Sequence, residues 1–115
     1  MSEASDLIDA QLAAYRARNL DEFLSFYAED VLIEDGDHNV VTRGRQGMRE
    51  SYGPFFSASP NLHLEIPRRI EIGDFVIDEE LIDGIIVDGI LQSQQHVVTI
   101  YRVTNSLISH VTFLR

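Results

Sequence analysis

The 115-residue sequence contains no cysteine. Disulfide bonds, thiol catalysis and cysteine-ligated zinc are therefore excluded. Basic charge is scarce: nine Lys and Arg stand against 19 Asp and Glu, a formal net charge of −10. Nucleic acids are bound by Lys and Arg that displace counterions from phosphates. Nucleic acid is thus not an expected partner, and an anionic membrane surface is disfavoured for the same reason. No apolar run approaches the ~20 residues that span a bilayer. The first ten residues, "MSEASDLIDA", are acidic where a secretory leader would be basic. A cytoplasmic location is the expectation. A nucleophile elbow of the G-x-S-x-G kind, a phosphate-cradling glycine loop and the H-E-x-x-H or H-x-E-x-H spacings are all missing. A metal site needs three or four convergent ligands, so no metal is expected.

What is present is ordinary for a globular chain: 44% hydrophobic and 24% charged residues. The length suits one domain over residues 1–115, and no linker, repeat or low-complexity tract interrupts it. Helical signals occupy the first half and strand signals the second, an order that predicts an α+β fold with an antiparallel sheet.

Leu7, Ile8, Leu12 and Tyr15 recur at helical spacing and predict a helix over 3–17. Gln11 lies on the same stripe, four residues from both Leu7 and Tyr15. Its amide either sits at the solvent boundary or faces an interior polar site. A second, shorter helix opens at Asn19, a good N-cap, with Glu22 at the reciprocal capping-box position. Leu20, Phe23, Leu24 and Tyr27 form its buried side. "VLIED" (31–35) reads as the first strand. "GRQGMRESYGPFF" (44–56) reads as a third helix with Met48, Tyr52, Phe55 and Phe56 on one face and a distorted end at Pro54. Strands are expected near 61–72, 75–87, 93–104 and 107–114. Gly73-Asp74, Asp88-Gly89 and Asn105-Ser106 punctuate them.

Three places could carry chemistry. The first strand runs into Glu34 and Asp35, and strand alternation puts Val31, Ile33 and Asp35 on one face and Leu32 and Glu34 on the other. A carboxylate at the rim of an apolar cavity is partly desolvated and becomes a usable proton acceptor near neutral pH. The plain alternative is a solvated strand end at Gly36. In "FVIDEELIDG", Asp78-Glu79-Glu80 interrupts a strand: either Asp78 and Glu80 face inward, or Glu79 does. The alternative there is an edge strand that uses charge against mispairing. Of the four histidines, His63, His96 and His110 fall in expected strands, and one of them could line a cavity.

The stretch "YRARNLDEFLSFYAEDVLIED", then "GRQGMRESY", then the closing "VVTIYRVTNSLISHVTFLR" resembles the SnoaL-like and ketosteroid-isomerase-like branch of the nuclear-transport-factor-2-like superfamily. The resemblance implies a cone: three N-terminal helices packed on a strongly curved, mostly antiparallel sheet around a mostly apolar pocket. It implies a small apolar ligand or substrate, no cofactor, and a homodimer formed through the sheet. In the isomerases the general base is an aspartate closing the first strand, which Asp35 matches. The oxyanion donors of that family fall on Gln11 and Thr99, both able to donate a hydrogen bond. Dehydratases of the superfamily use histidines, which His110 and His63 resemble by type. The resemblance thus makes Asp35, Gln11, Thr99 and His110 the candidate catalytic set. Tyr15, Tyr27, Phe55, Phe56, His63 and Tyr101 would bind the ligand. The implied reaction is cofactor-free isomerisation, cyclisation or dehydration of an apolar carbonyl compound. The same fold also serves as a non-catalytic binding or assembly module.

Overall fold

The computed structural model describes residues 2–115. Three helices come first: α1 (Glu3–Arg16), α2 (Leu20–Ser25) and, after two strands, α3 (Gly44–Ala58). Ser2 caps α1 by accepting from the Ser5 amide, and Asn19 caps α2 by accepting from Glu22. Glu22 returns the contact to the Asn19 side-chain amide at 3.2 Å, because the Asn19 backbone amide already donates to the Ala14 carbonyl. The helix α3 runs four residues past Pro54 instead of breaking there. Packing of Phe55 and Phe56 onto Tyr15 and Phe23 holds that last turn in place.

The strands are β1 (Tyr27–Asp35), β2 (Val40–Arg43), β3 (His63–Ile72), β4 (Phe75–Asp83), β5 (Ile86–Val87), β6 (Ile90–Leu91), β7 (Gln95–Thr104) and β8 (Leu107–Leu114). Six form one sheet in the order β2-β1-β8-β7-β4-β3, while β5 and β6 make a separate hairpin. Every pairing in the large sheet is antiparallel except β1 with β8. The sheet curves around the helices, which is the α+β cone that the family resemblance implies.

Three features differ from the sequence reading. Tyr27 opens β1 and pairs with Ile108 instead of ending the second helix. It stays buried, because its ring packs on Phe23 at 5.1 Å. The short edge strand β2 was not anticipated. The long strand expected over 75–87 stops at Asp83, where Gly84 turns with φ +80°. An added Cβ at Gly84 would meet the Asn61 carbonyl at 2.2 Å, so only glycine fits that break. Asp88 and Gly89, both at positive φ, then close the β5–β6 hairpin. The Ile86 amide ties this hairpin to the buried Ser59 hydroxyl at 3.1 Å.

One core lies between helices and sheet, built on Ile8, Leu12, Phe23, Met48, Ile33, Val76, Ile108 and Val111. Alternation along β4 buries Val76, Asp78, Glu80 and Ile82. Asp78 and Glu80 therefore both face inward, and Glu79 faces outward, where it meets His96 and Arg68. Asp78 is fully buried and is clamped by Arg69 through two bonds of 2.6 and 2.9 Å. Arg69 also donates to the Ser5 hydroxyl and to Asp9, so it staples α1 to β3 and β4. A buried charge that loses its partner is costly, at about 3–5 kcal/mol. Arg69→Met should lower unfolding free energy by about that amount in urea titrations. Asp9→Asn, at the solvent end, should cost under about 1 kcal/mol. Equal, small losses in both variants would mean the pair does not hold the fold.

Candidate functional site

A cavity of about 390 Å³ opens between the helices and the inner face of the sheet. That volume suits a small organic molecule. Helix α1 supplies Gln11 and Tyr15, α3 supplies Tyr52 and Phe55, and β1 supplies Tyr27. Glu80 and Ile82 come from β4, Val97 and Tyr101 from β7, and Phe113 from β8. Ile85 and Val87, flanking and within the hairpin, close one side. The walls are apolar because successive inward positions on each strand and the aromatic face of α3 converge there.

A directed chain of hydrogen bonds crosses its floor. The Tyr27 hydroxyl donates to Gln11 Oε1 at 2.9 Å. The Gln11 amide donates to the Tyr101 hydroxyl at 3.2 Å, and Tyr101 donates to Glu80 Oε2 at 3.2 Å. Every donor in the chain has one acceptor, so the Gln11 amide is held in one orientation. This answers the question raised by its place on the apolar stripe: Gln11 is 1% exposed and lies inside.

Glu80 ends the chain. It is 4% exposed, and burial pushes its carboxyl from 4.5 up to about 7. The buried Asp78 charge pushes the same way, while the Thr99 hydroxyl, Tyr101 and Arg69 pull it back. Glu80 is therefore a carboxyl that changes charge near neutral pH inside an apolar cavity. Burial raises the phenols of Tyr15, Tyr27, Tyr52 and Tyr101, with the Glu80 charge adding to it, so all four stay protonated donors. The Tyr15 and Tyr52 hydroxyls line the cavity and are available to a ligand, since neither forms a hydrogen bond within the described residues.

The structure brings together Gln11, Tyr15, Tyr27, Phe55 and Tyr101, but not the rest of the expected set. Asp35 shares the strand face of Ile33, yet its carboxylate turns back over the following loop. It accepts from the amides of Asp37 and Asn39 and from the Asn39 side chain. Those bonds, led by Asn39, hold its pKa below the usual carboxylate range. A carboxylate so stabilised as an anion, and turned to solvent, is a poor proton acceptor. His110 lies on the outer face of the sheet against Glu34 of the neighbouring strand. His63 is exposed and meets Glu65 at 3.2 Å. Thr99 is buried beside the cavity instead of lining it. Its hydroxyl favours the Glu80 anion but makes no well-formed hydrogen bond. Phe56 is packed behind the wall, on Phe23 and Tyr15. Glu80, Tyr52 and Arg115 are among the lining residues that sequence reasoning did not assign to the site. The signal for Glu80 was the Asp78-Glu79-Glu80 run, whose inward members could not be chosen without the sheet. Among the described residues no three His, Asp or Glu side chains converge to hold a metal.

Comparison with known proteins bears on the family and the fold. A family model described as a SnoaL-like domain matches residues 8–111. No curated protein matches the sequence. Among solved structures, an uncharacterized cystatin-fold protein from Novosphingobium aromaticivorans is 26% identical, with a TM-score of 0.89 over 100% of this chain and 99% of that one. TerC, co-crystallised with polyporic acid, is 19% identical, with a TM-score of 0.77 over 97% of this chain and 90% of that one. A protein of ketosteroid isomerase-like fold from Catenulispora acidiphila, bound to trimethylamine, is 20% identical. Its TM-score is 0.73 over 93% of this chain and 82% of that one. At such identities the last two speak for the fold alone.

Glu80 also ties stability to pH. Its folded pKa is above its unfolded one, so its stabilising contribution is full below pH 4.5 and is lost as pH rises toward 7. At ~1.4 kcal/mol per unit the whole loss is roughly 3 kcal/mol. Unfolding of the wild type and of Glu80→Gln should thus diverge between pH 5 and 8, the variant becoming relatively more stable at pH 8. Parallel pH profiles would show that Glu80 titrates normally.

Proposed function

The chain belongs to the SnoaL-like domain family, and from that premise we propose that it binds a small apolar carbonyl or hydroxy compound and transfers a proton on it without a cofactor. One observation carries the reading: Glu80 is a carboxyl poised near neutral pH in an otherwise apolar, ligand-sized cavity. A general base works best when its pKa lies near the operating pH. The Glu80 anion takes a proton from the carbon beside a carbonyl, and the electron pair moves onto the oxygen. Tyr15 and Tyr52 line the same cavity, and their phenols are the donors for that oxygen as its charge grows. The protonated Glu80 returns the proton to another carbon of the conjugated system. The isomerisation therefore balances with no outside reagent. Gln11 and Tyr101 act one step back, keeping the Glu80 carboxyl in its orientation.

The test separates the two carboxylates. Glu80→Gln should abolish proton transfer, read as loss of hydrogen–deuterium exchange or isomerisation across a panel of apolar enones and hydroxyketones. Asp35→Asn should keep it within about twofold, since its carboxylate serves the loop. In the wild type kcat should rise with pH through about 7. Full activity in Glu80→Gln, or its loss in Asp35→Asn, would return the base to the strand end.

An assembly role rests on a different observation. The outer face of the sheet carries Ile70, Ile72 and Phe75, exposed at 61%, 65% and 39%, beside the half-buried Ile77, Leu81, Val98 and Ile100. An apolar face of this kind, interrupted by the charged group around Glu79, marks an interaction surface, and a second copy of the chain is the proposed occupant. Sedimentation at micromolar concentration should give a dimer, and Ile70→Asp should shift it toward monomer. A monomeric wild type would remove the claim.

A further inference from the structure

The cavity has two charged residues in its lining, and they differ in depth. Glu80 is buried at the floor. Arg115 is exposed at the mouth, just past the end of β8 and two residues beyond Phe113. Its guanidinium carbon lies 5.8 Å from the Phe113 ring centroid, and that ring is itself part of the wall. Such stacking leaves the N–H edge of the guanidinium free to bind a planar acid. Among the described residues Arg115 makes no salt bridge, whereas Arg49, Arg68 and Arg69 each meet a carboxylate. Arg16, Arg18, Arg43, Arg45 and Arg102 are likewise without a salt bridge, so what sets Arg115 apart is that it alone of the arginines lines the cavity. The Arg115 charge reaches inward as well, acting on the Tyr52 phenol within the cavity.

The geometry points to an organic anion as the ligand: an apolar ring system inside the aromatic walls, with a carboxylate or comparable acid group held by Arg115 at the mouth. This rests on the cavity being the binding site, as proposed above, and adds the class and direction of what enters it. The acid group stays at the wet end, where a charge–charge contact forms without full desolvation of either partner. The reacting end is thereby delivered to Glu80. The reverse orientation would put two negative charges together at the floor above pH 7. The overall charge of −10 disfavours anions in general, so the local contact with Arg115 selects those whose apolar part fits.

Two fluorescent probes with one ring skeleton test this: 1-anilinonaphthalene-8-sulfonate, an anion, and N-phenyl-1-naphthylamine, its neutral counterpart. Both are titrated at pH 6 into wild type, Arg115→Gln and Arg115→Lys, with displacement of one by the other confirming a shared site. The expected result is tighter binding of the anion by wild type. Arg115→Gln should lose about tenfold for the anion and nothing for the neutral probe, as expected for one charge-assisted contact. Arg115→Lys should recover part of the loss, and added salt should weaken only the anion. If the neutral probe binds while the anion is indifferent to Arg115→Gln, the anion assignment is overturned and the pocket stands. Equal weakening of both probes by Arg115→Gln also overturns it, by making Arg115 a packing residue. If neither probe binds, the pocket reading falls and takes this inference with it.

Discussion

Alternation along one strand decides the character of this protein. Because β4 turns every second side chain inward, it delivers Asp78 and Glu80 to the same apolar interior. Two carboxylates in such a place cannot both be treated alike. Asp78 receives a cation, Arg69, which reaches it from the neighbouring β3 and also ties down α1. Glu80 receives one phenol and a nearby hydroxyl instead. The ion pair keeps Asp78 structural. The lack of an ion pair leaves Glu80 responsive to pH.

Much of the fold could be read before the structure was seen, and the reasons for the misses are specific. Helices α1 and α3 announced themselves through apolar spacing, and Asp88-Gly89 marked its hairpin. Tyr27 was ambiguous because its spacing from Leu20, Phe23 and Leu24 suits a helix as well. Only the pairing of β1 with β8, contacts some 80 positions apart in sequence, draws it into the sheet. The break at Gly84 depends on the Asn61 carbonyl pressing against it, a tertiary contact with no local signature. The four-residue strand β2 is too short to carry a readable period.

The pocket was legible in kind, although Asp35 is not among the residues that line it. Gln11, Tyr15, Tyr27, Phe55 and Tyr101 meet in the cavity. Asp35 occupies the right strand and the right face, and still does different work. Its neighbour Asn39 folds back and supplies both a backbone and a side-chain donor. A strand-end carboxylate followed by a tight turn finds those donors locally, and each one favours the anion. Position along a strand therefore does not make a base; the balance between donors and burial does. Asp35 is held ionised by its loop, while Glu80 is held close to neutrality by the core.

Glu80 is also the residue hardest to explain as mere structure. Of its neighbours on the inner face of β4, Asp78 is paired with Arg69 and Ile82 is apolar, and an apolar residue in place of Glu80 would avoid desolvating a second carboxyl. A buried acid costs stability above its unfolded pKa unless something compensates it. Here the hydroxyl of Tyr101 compensates in part, and that hydroxyl is itself oriented by Gln11 and Tyr27. Three polar side chains are thus committed to keeping one carboxyl in a fixed direction. A core arranged only for stability would exclude all four. Local departures from packing rules of this kind belong to functional sites. This one sits at the floor of the cavity, where a ligand anchored by its acid group at Arg115 would meet it.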